Sequence, residues 1–106
     1  MNLLFVCSRN KWRSPTAEAI FKNNDEHMAR SAGTENSARI RINESMIGWA
    51  DIIFVMEKKH KLRLIEKYAE LLEGKNIVIL DIEDNYQYMD PELVAMLKEA
   101  VMPYLK

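Results

Sequence analysis

Three short runs of almost unbroken apolar residues recur along the chain: NLLFVC at 2–7, DIIFVM at 51–56 and NIVIL at 76–80. A run with no polar alternation is a strand covered on both faces, and strands of that kind belong to parallel sheets. The stretches between them carry a helical period instead. From Pro15 onward, Ala17, Ile20 and Phe21 share a face, with the proline in the first turn. HMARSAGT at 27–34 reads as a further strand ending at Gly33, and a short helix over 43–50 has Asn43 as its cap. Residues 58–73 place Leu62, Ile65, Ala69 and Leu72 on one face, with Gly74 as the stop. Asp90 and Pro91 open a last helix that turns Leu93, Leu97, Ala100, Val101 and Tyr104 inward, frayed at its end by Pro103. This β-α-β-α-β-α-β-α order predicts an α/β fold: a small three-layer domain with a four-stranded parallel sheet, helices on both faces and right-handed crossovers.

In such sheets ligands gather beyond the carboxyl ends of the strands. There the first strand ends on the only cysteine of the chain, Cys7, and five residues later Arg13, Ser14 and Pro15 lead into a helix. A loop between a strand end and a helix start aims backbone N–H groups at one point, and the helix dipole makes that point attractive to an anion. Arg13 adds a planar fork that matches two phosphate oxygens. Under a bound anion Cys7 sits in positive potential, which populates its reactive thiolate. Ser14 has a hydroxyl to donate to that thiolate, and Asn10 has an amide suited to bracing the loop. A thiolate beneath a tetrahedral anion is arranged for nucleophilic displacement at phosphorus, with the loop supplying the electrostatic stabilisation. The competing reading, a small buried cysteine beside a surface arginine, is the common fate of a lone cysteine. It does not account for strand, cysteine, arginine, proline and helix falling in this order.

The totals exclude other classes. With 106 residues, no repeat and no linker, residues 1–106 are expected to form one domain. A formal net charge of -1 is not the footprint of a nucleic-acid binder. One cysteine rules out an internal disulfide or a multi-cysteine metal site, and the loop chemistry calls for no metal or cofactor. LLFV is too short for a signal peptide or a membrane span, so no membrane partner is expected and the cytoplasm is the default location.

The segment FVCSRNKWRSPTAEAIF resembles the phosphate loop of the low-molecular-weight protein tyrosine phosphatases, Cys-x5-Arg-Ser-Pro-x-Ala-Glu. Three further stretches follow in that family's order: SAGT at 31–34, ADIIFVME at 50–57 and LDIEDNYQYMDPELV at 80–94. With it goes the expectation of flavodoxin-like strand order 2-1-3-4. The resemblance implies hydrolysis of phosphomonoesters, with phosphotyrosine in proteins or a small aryl phosphate as substrate, through a phosphocysteine on Cys7. Arg13 would clamp the phosphate, and Ser8, Arg9, Asn10, Lys11, Trp12 and Ser14 would line it. Asn10, Ser14 and Ser31 would form a supporting hydrogen-bond network. An aspartate on the last loop would be the general acid, and by order and distance to the last helix Asp84 fits better than Asp81 or Asp90. The chain departs from the family in three places: Arg9 stands where glycine is usual, Trp12 where a second cysteine is common, and the stretch between SAGT and DIIFVM is short, which removes part of one cleft wall.

Other residues carry weaker signals. Lys11, Arg9, Arg39 and Arg41 can form a basic rim, although solvated charge is an equal reading for the last two. Lys11 at the loop tip disfavours a cationic substrate such as phosphoarginine. Tyr86 and Tyr88 can line the cleft or pack against the last helix, and Trp49 reads as packing. His27 and His60 have no partner at ligand spacing, and His60 in KKHK reads as a solvated helix face. Two other functions stay open: a phosphocysteine carrier of the sugar phosphotransferase type, and a module that binds phosphate or phosphopeptides without turnover. An arsenate reductase would need a cysteine relay that this chain lacks.

Overall fold

The computed structural model describes residues 1–22 and 26–105. The elements follow the order β1 (Asn2–Cys7), α1 (Arg13–Phe21), β2 (Met28–Gly33), α2 (Glu44–Trp49), β3 (Ile52–Val55), α3 (Lys58–Tyr68), β4 (Asn76–Ile79) and α4 (Pro91–Val101), with a 3-10 turn at Met102–Tyr104. The four strands are parallel in the order β2-β1-β3-β4, as expected. β1 is central: Cys7 lies opposite Gly33 of β2, and Val6 lies opposite Val55 of β3.

The period of two along β1 divides the core. Leu3, Phe5 and Cys7 face one side with Ala17 and Phe21 of α1 and Leu93, Leu97 and Val101 of α4. Leu4 and Val6 face the other, with Ile47 of α2 and Leu64 of α3. A strand buried on both sides needs apolar residues at every position, which is why NLLFVC shows no alternation. Among the described residues no helix is long and apolar enough to cross a membrane.

Helix starts were legible and one helix face was not. Asn43 caps α2 by accepting from the N–H of Met46 at 2.9 Å, and Asp90 caps α4 by accepting from the N–H of Glu92 at 2.9 Å. α3 corrects the sequence reading: Leu62 is 54% and Ile65 40% exposed, whereas His60 and Leu64 are buried. His60 is therefore no solvated face. Its ring accepts through Nδ1 from the N–H of Glu57 at 3.0 Å, closing a capping box at the start of α3. That cap turns the His60–Leu64 stripe towards the sheet. Trp49 is half-buried against the second core, with Arg30 stacked 4.5 Å over its ring.

Candidate active site

The segment between β1 and α1 is held from outside by its carbonyls. The N–H groups of Thr34, Glu35 and Arg39 donate to the carbonyls of Cys7, Ser8 and Arg9 at 3.0, 2.9 and 2.9 Å, and Arg39 Nε donates to that of Asn10 at 3.1 Å. The Trp12 carbonyl accepts from the N–H of Thr16 at 3.1 Å. In a trans peptide the N–H points opposite to the preceding carbonyl. The amides of Ser8, Arg9, Asn10, Lys11 and Arg13 are accordingly turned away from these donors. Among the described residues none of the N–H groups from Ser8 to Trp12 donates a hydrogen bond within the fold. α1 also begins without a side-chain cap. The loop is a concave array of free donors at a helix start, an arrangement whose polarity complements an anion.

Two backbone features make this shape possible. Asn10 takes φ +56°, a left-handed conformation that asparagine tolerates better than most residues. Arg9, in the position where glycine is usual, is not among the residues with positive φ, so its side chain fits without that strain. Gly33 supplies the close approach: a Cβ there would stand 2.6 Å from the Ser8 carbonyl oxygen and 2.9 Å from the Arg9 carbonyl carbon.

Beneath the loop, Asn10 is the hub of a buried network. Its Nδ2 donates to Ser14 Oγ and to Ser31 Oγ, both at 2.9 Å, and Ser31 Oγ donates to Glu18 Oε1 at 2.5 Å. Because Ser14 Oγ accepts from Asn10, its own proton is free for Cys7 Sγ at 2.9 Å, the shorter of its remaining contacts; the Ala32 carbonyl is at 3.4 Å.

Arg13, buried at 2% exposure, is fixed on three sides. Nη1 donates to the Ile82 carbonyl at 2.9 Å and lies 3.3 Å from Glu57 Oε2, while Nε lies 3.6 Å from Asp84 Oδ1. Burial works against the charge on Glu57, but Lys59 at 3.3 Å and Arg13 outweigh it and hold the carboxyl below its ordinary range. The N–H groups of Leu80 and Ile82 donate to the carbonyls of Val55 and Met56, prolonging the sheet past β4 and carrying Asp84 to the mouth. Asp81 sits in a left-handed kink between them and is exposed.

His60 joins the site from below: its Nε2 is 2.8 Å from Ser8 Oγ. Since Nδ1 accepts from Glu57, Nε2 carries the proton and donates to Ser8. Burial first, and the nearby Arg13 charge second, push His60 down to about 4, so the imidazole is neutral at physiological pH.

Cys7, Arg9, Lys11, Trp12, Arg13 and Asp84 line one small cavity. Lys11 Nζ lies 4.7 Å over the Trp12 ring at its rim, and Arg9 reaches Glu35 at 3.9 Å. Tyr86 is set apart, half-buried against the first core, and Asp90 is occupied as a cap. A wider cavity of about 690 Å³ lies between residues 34–37 and α3, with His60 in its α3 wall, and borders the loop at Ser8. Sequence reasoning passed over Glu18 and Glu57 and read His60 as a solvated helix face. The two glutamates lay inside stretches it had singled out, TAEAIF and DIIFVME, but without an assigned partner.

Residues 2–51 match the family model for low molecular weight phosphotyrosine protein phosphatase. Solved structures share the fold: SP-PTP, a low molecular weight protein tyrosine phosphatase from Streptococcus pyogenes, is 19% identical with TM-score 0.76, covering 98% of this chain and 90% of that one. The tyrosine phosphatase Wzb from Escherichia coli K30, in complex with phosphate, is 19% identical with TM-score 0.76, covering 97% and 94%. The YwlE arginine phosphatase from Geobacillus stearothermophilus is 21% identical with TM-score 0.72, covering 95% and 86%. At these identities the likeness establishes the fold. No curated protein matches the chain.

Proposed function

The chain has the fold of the low molecular weight phosphotyrosine protein phosphatases and matches that family over residues 2–51, and from there we propose that it hydrolyses phosphomonoesters, phosphotyrosine in proteins foremost. The observation that carries this reading is the Cys7 sulfur at the foot of a loop whose N–H groups from Ser8 to Trp12 donate no hydrogen bond among the described residues, while the carbonyls of Cys7, Ser8, Arg9 and Asn10 are engaged from outside.

In the proposed reaction the Cys7 thiolate attacks phosphorus in line. The loop amides and Arg13 hold the equatorial oxygens, the bond to the ester oxygen breaks, and Asp84 gives that oxygen its proton. Water then attacks the phosphocysteine, Asp84 takes a proton from it, and the S–P bond breaks to release inorganic phosphate and the thiolate. Glu57 and the Ile82 carbonyl act by holding Arg13 in orientation, and Ser14 by stabilising sulfur as nucleophile and leaving group. An arginine phosphatase shares the fold, but the cations Arg9 and Lys11 at this mouth disfavour a guanidinium leaving group and suit an aryl phosphate.

Incubation with an aryl phosphate, followed by acid quench and mass spectrometry of the Cys7 peptide, tests the reading. Multiple turnovers with a transient phosphate on Cys7 are expected. A stable phosphocysteine without turnover would point to a carrier, and phosphate binding with neither to a non-catalytic module.

A further inference from the structure

A second hollow adjoins the phosphate loop. It measures about 310 Å³ and is walled by Lys11, Lys22, Arg39 and Tyr88, with Pro15 and Ala19 of α1 beside them. Lys11 borders both this hollow and the cavity around Cys7, so the two are neighbours across one side chain. Arg39 is tethered by its Nε to the Asn10 carbonyl, which leaves its terminal nitrogens as donors beside the loop tip. Among the described residues none of Lys11, Lys22 and Arg39 has an ion-pair partner. The one carboxylate in the wall, Glu18, is engaged by the Ser31 hydroxyl beneath the loop. Three cations against one occupied carboxylate is a local surplus in a chain whose net charge is -1.

We propose that this hollow is an anion subsite that binds the carboxylate of an aspartate or glutamate flanking the phosphorylated residue, so that the substrates are acidic phosphopeptide segments. The inference rests on the phosphatase reading and extends it from the scissile group to its neighbours. Three converging cations supply what a carboxylate needs, and the shared Lys11 wall sets a reach of one or two residues from the phosphate.

Three phosphotyrosine peptides, identical except for aspartate, alanine or lysine beside the phosphotyrosine, test this, with an aryl phosphate as the control. The aspartate peptide is expected to show a KM about three- to fivefold below the alanine peptide at equal kcat, with the gap closing as salt rises. Lys22→Glu, an exposed change outside the phosphate loop, should bring the gap below about twofold and leave aryl phosphate hydrolysis unchanged. Equal KM values for all three peptides, with normal aryl phosphate turnover, would overturn the subsite and leave the phosphatase reading standing. Absence of aryl phosphate turnover would refute the phosphatase reading. Calorimetric titration of the peptides then still decides the subsite, which a Kd indifferent to the flanking charge would overturn.

Discussion

His60 Nε2 and Ser8 Oγ lie 2.8 Å apart, which ties the first turn of α3 to the residue that follows Cys7. The ring is neutral in this arrangement, because Nδ1 accepts from the Glu57 N–H and protonation there would break that bond. Arg13, Glu57, Lys59 and Asp84 are the charges that bear on the ring, and burial dominates them. The folded value of about 4 lies below the ordinary 6.5, so the unfolded chain binds the proton first as pH falls. Stability from the neutral ring is full above about pH 6.5 and is lost progressively down to about pH 4. Between pH 7 and pH 5 this group alone should cost about 2 kcal/mol of stability. Denaturant titrations at both pH values should show that loss in the parent protein and not in His60→Ala. An equal loss in both would mean that the ring does not titrate as its burial dictates.

Cys7→Ser should lower aryl phosphate hydrolysis by more than about 1,000-fold, because no neighbouring base is placed to deprotonate a serine hydroxyl. Arg13→Lys should also be severely impaired, since an ammonium cannot hold the Ile82 carbonyl, Glu57 and two phosphate oxygens at once. Single-turnover kinetics on the purified variants checks both, and full activity in either would sink the mechanism.

The last loop offers a clean comparison of carboxylates. Asp84 stands 3.6 Å from Arg13 Nε, whereas Asp90 is occupied by the Glu92 N–H. Asp84→Asn should slow hydrolysis of a poor leaving group by about 100- to 10,000-fold and that of a good one less. Asp90→Asn should leave turnover nearly intact, because asparagine caps as well as aspartate. A leaving-group series run on both variants decides the matter, and the reverse pattern would transfer the acid role to Asp90.

Gly33→Ala places a methyl group 2.6 Å from the Ser8 carbonyl oxygen and from Ala38 Cβ. Backbone must move, and the backbone in question carries the loop amides. We expect a loss of about 1–3 kcal/mol in stability and, from a loop displaced by a fraction of an ångström, a fall of about 10- to 100-fold in kcat/KM. Unfolding and aryl phosphate assays that both match the parent would show that residues 8–9 and 38 yield freely.

Thr34, Glu35 and Arg39 bond the carbonyls of Cys7, Ser8 and Arg9 through their own N–H groups, so those three bonds do not depend on which side chain other than proline stands there. That is why the sequence reading marked Thr34 within SAGT and Arg39 as a rim cation but not their part in shaping the loop. Glu18 and Glu57 were equally silent: a carboxylate on a helix or after a strand looks the same whether it anchors a buried hydroxyl, holds an arginine or faces solvent.

What the sequence determined by itself were the elements and their layering. β1 and β3 are apolar throughout because both their faces are covered, and the caps Asn43 and Asp90 act within a few residues of themselves. Cys7, Asn10, Arg13 and Ser14 were legible for the same reason, since strand, loop and helix start are contiguous. Only the tertiary structure decided the face of α3. Helical periodicity admits both the Leu62–Ile65 stripe and the His60–Leu64 stripe, and the apolar one looked better. The choice fell to the other because His60 finds Glu57 at the cap of its own helix and Ser8, fifty-two residues away, across the end of the sheet. A buried polar ring is tolerated when both its nitrogens are bonded, and one of those partners exists only once the sheet has formed.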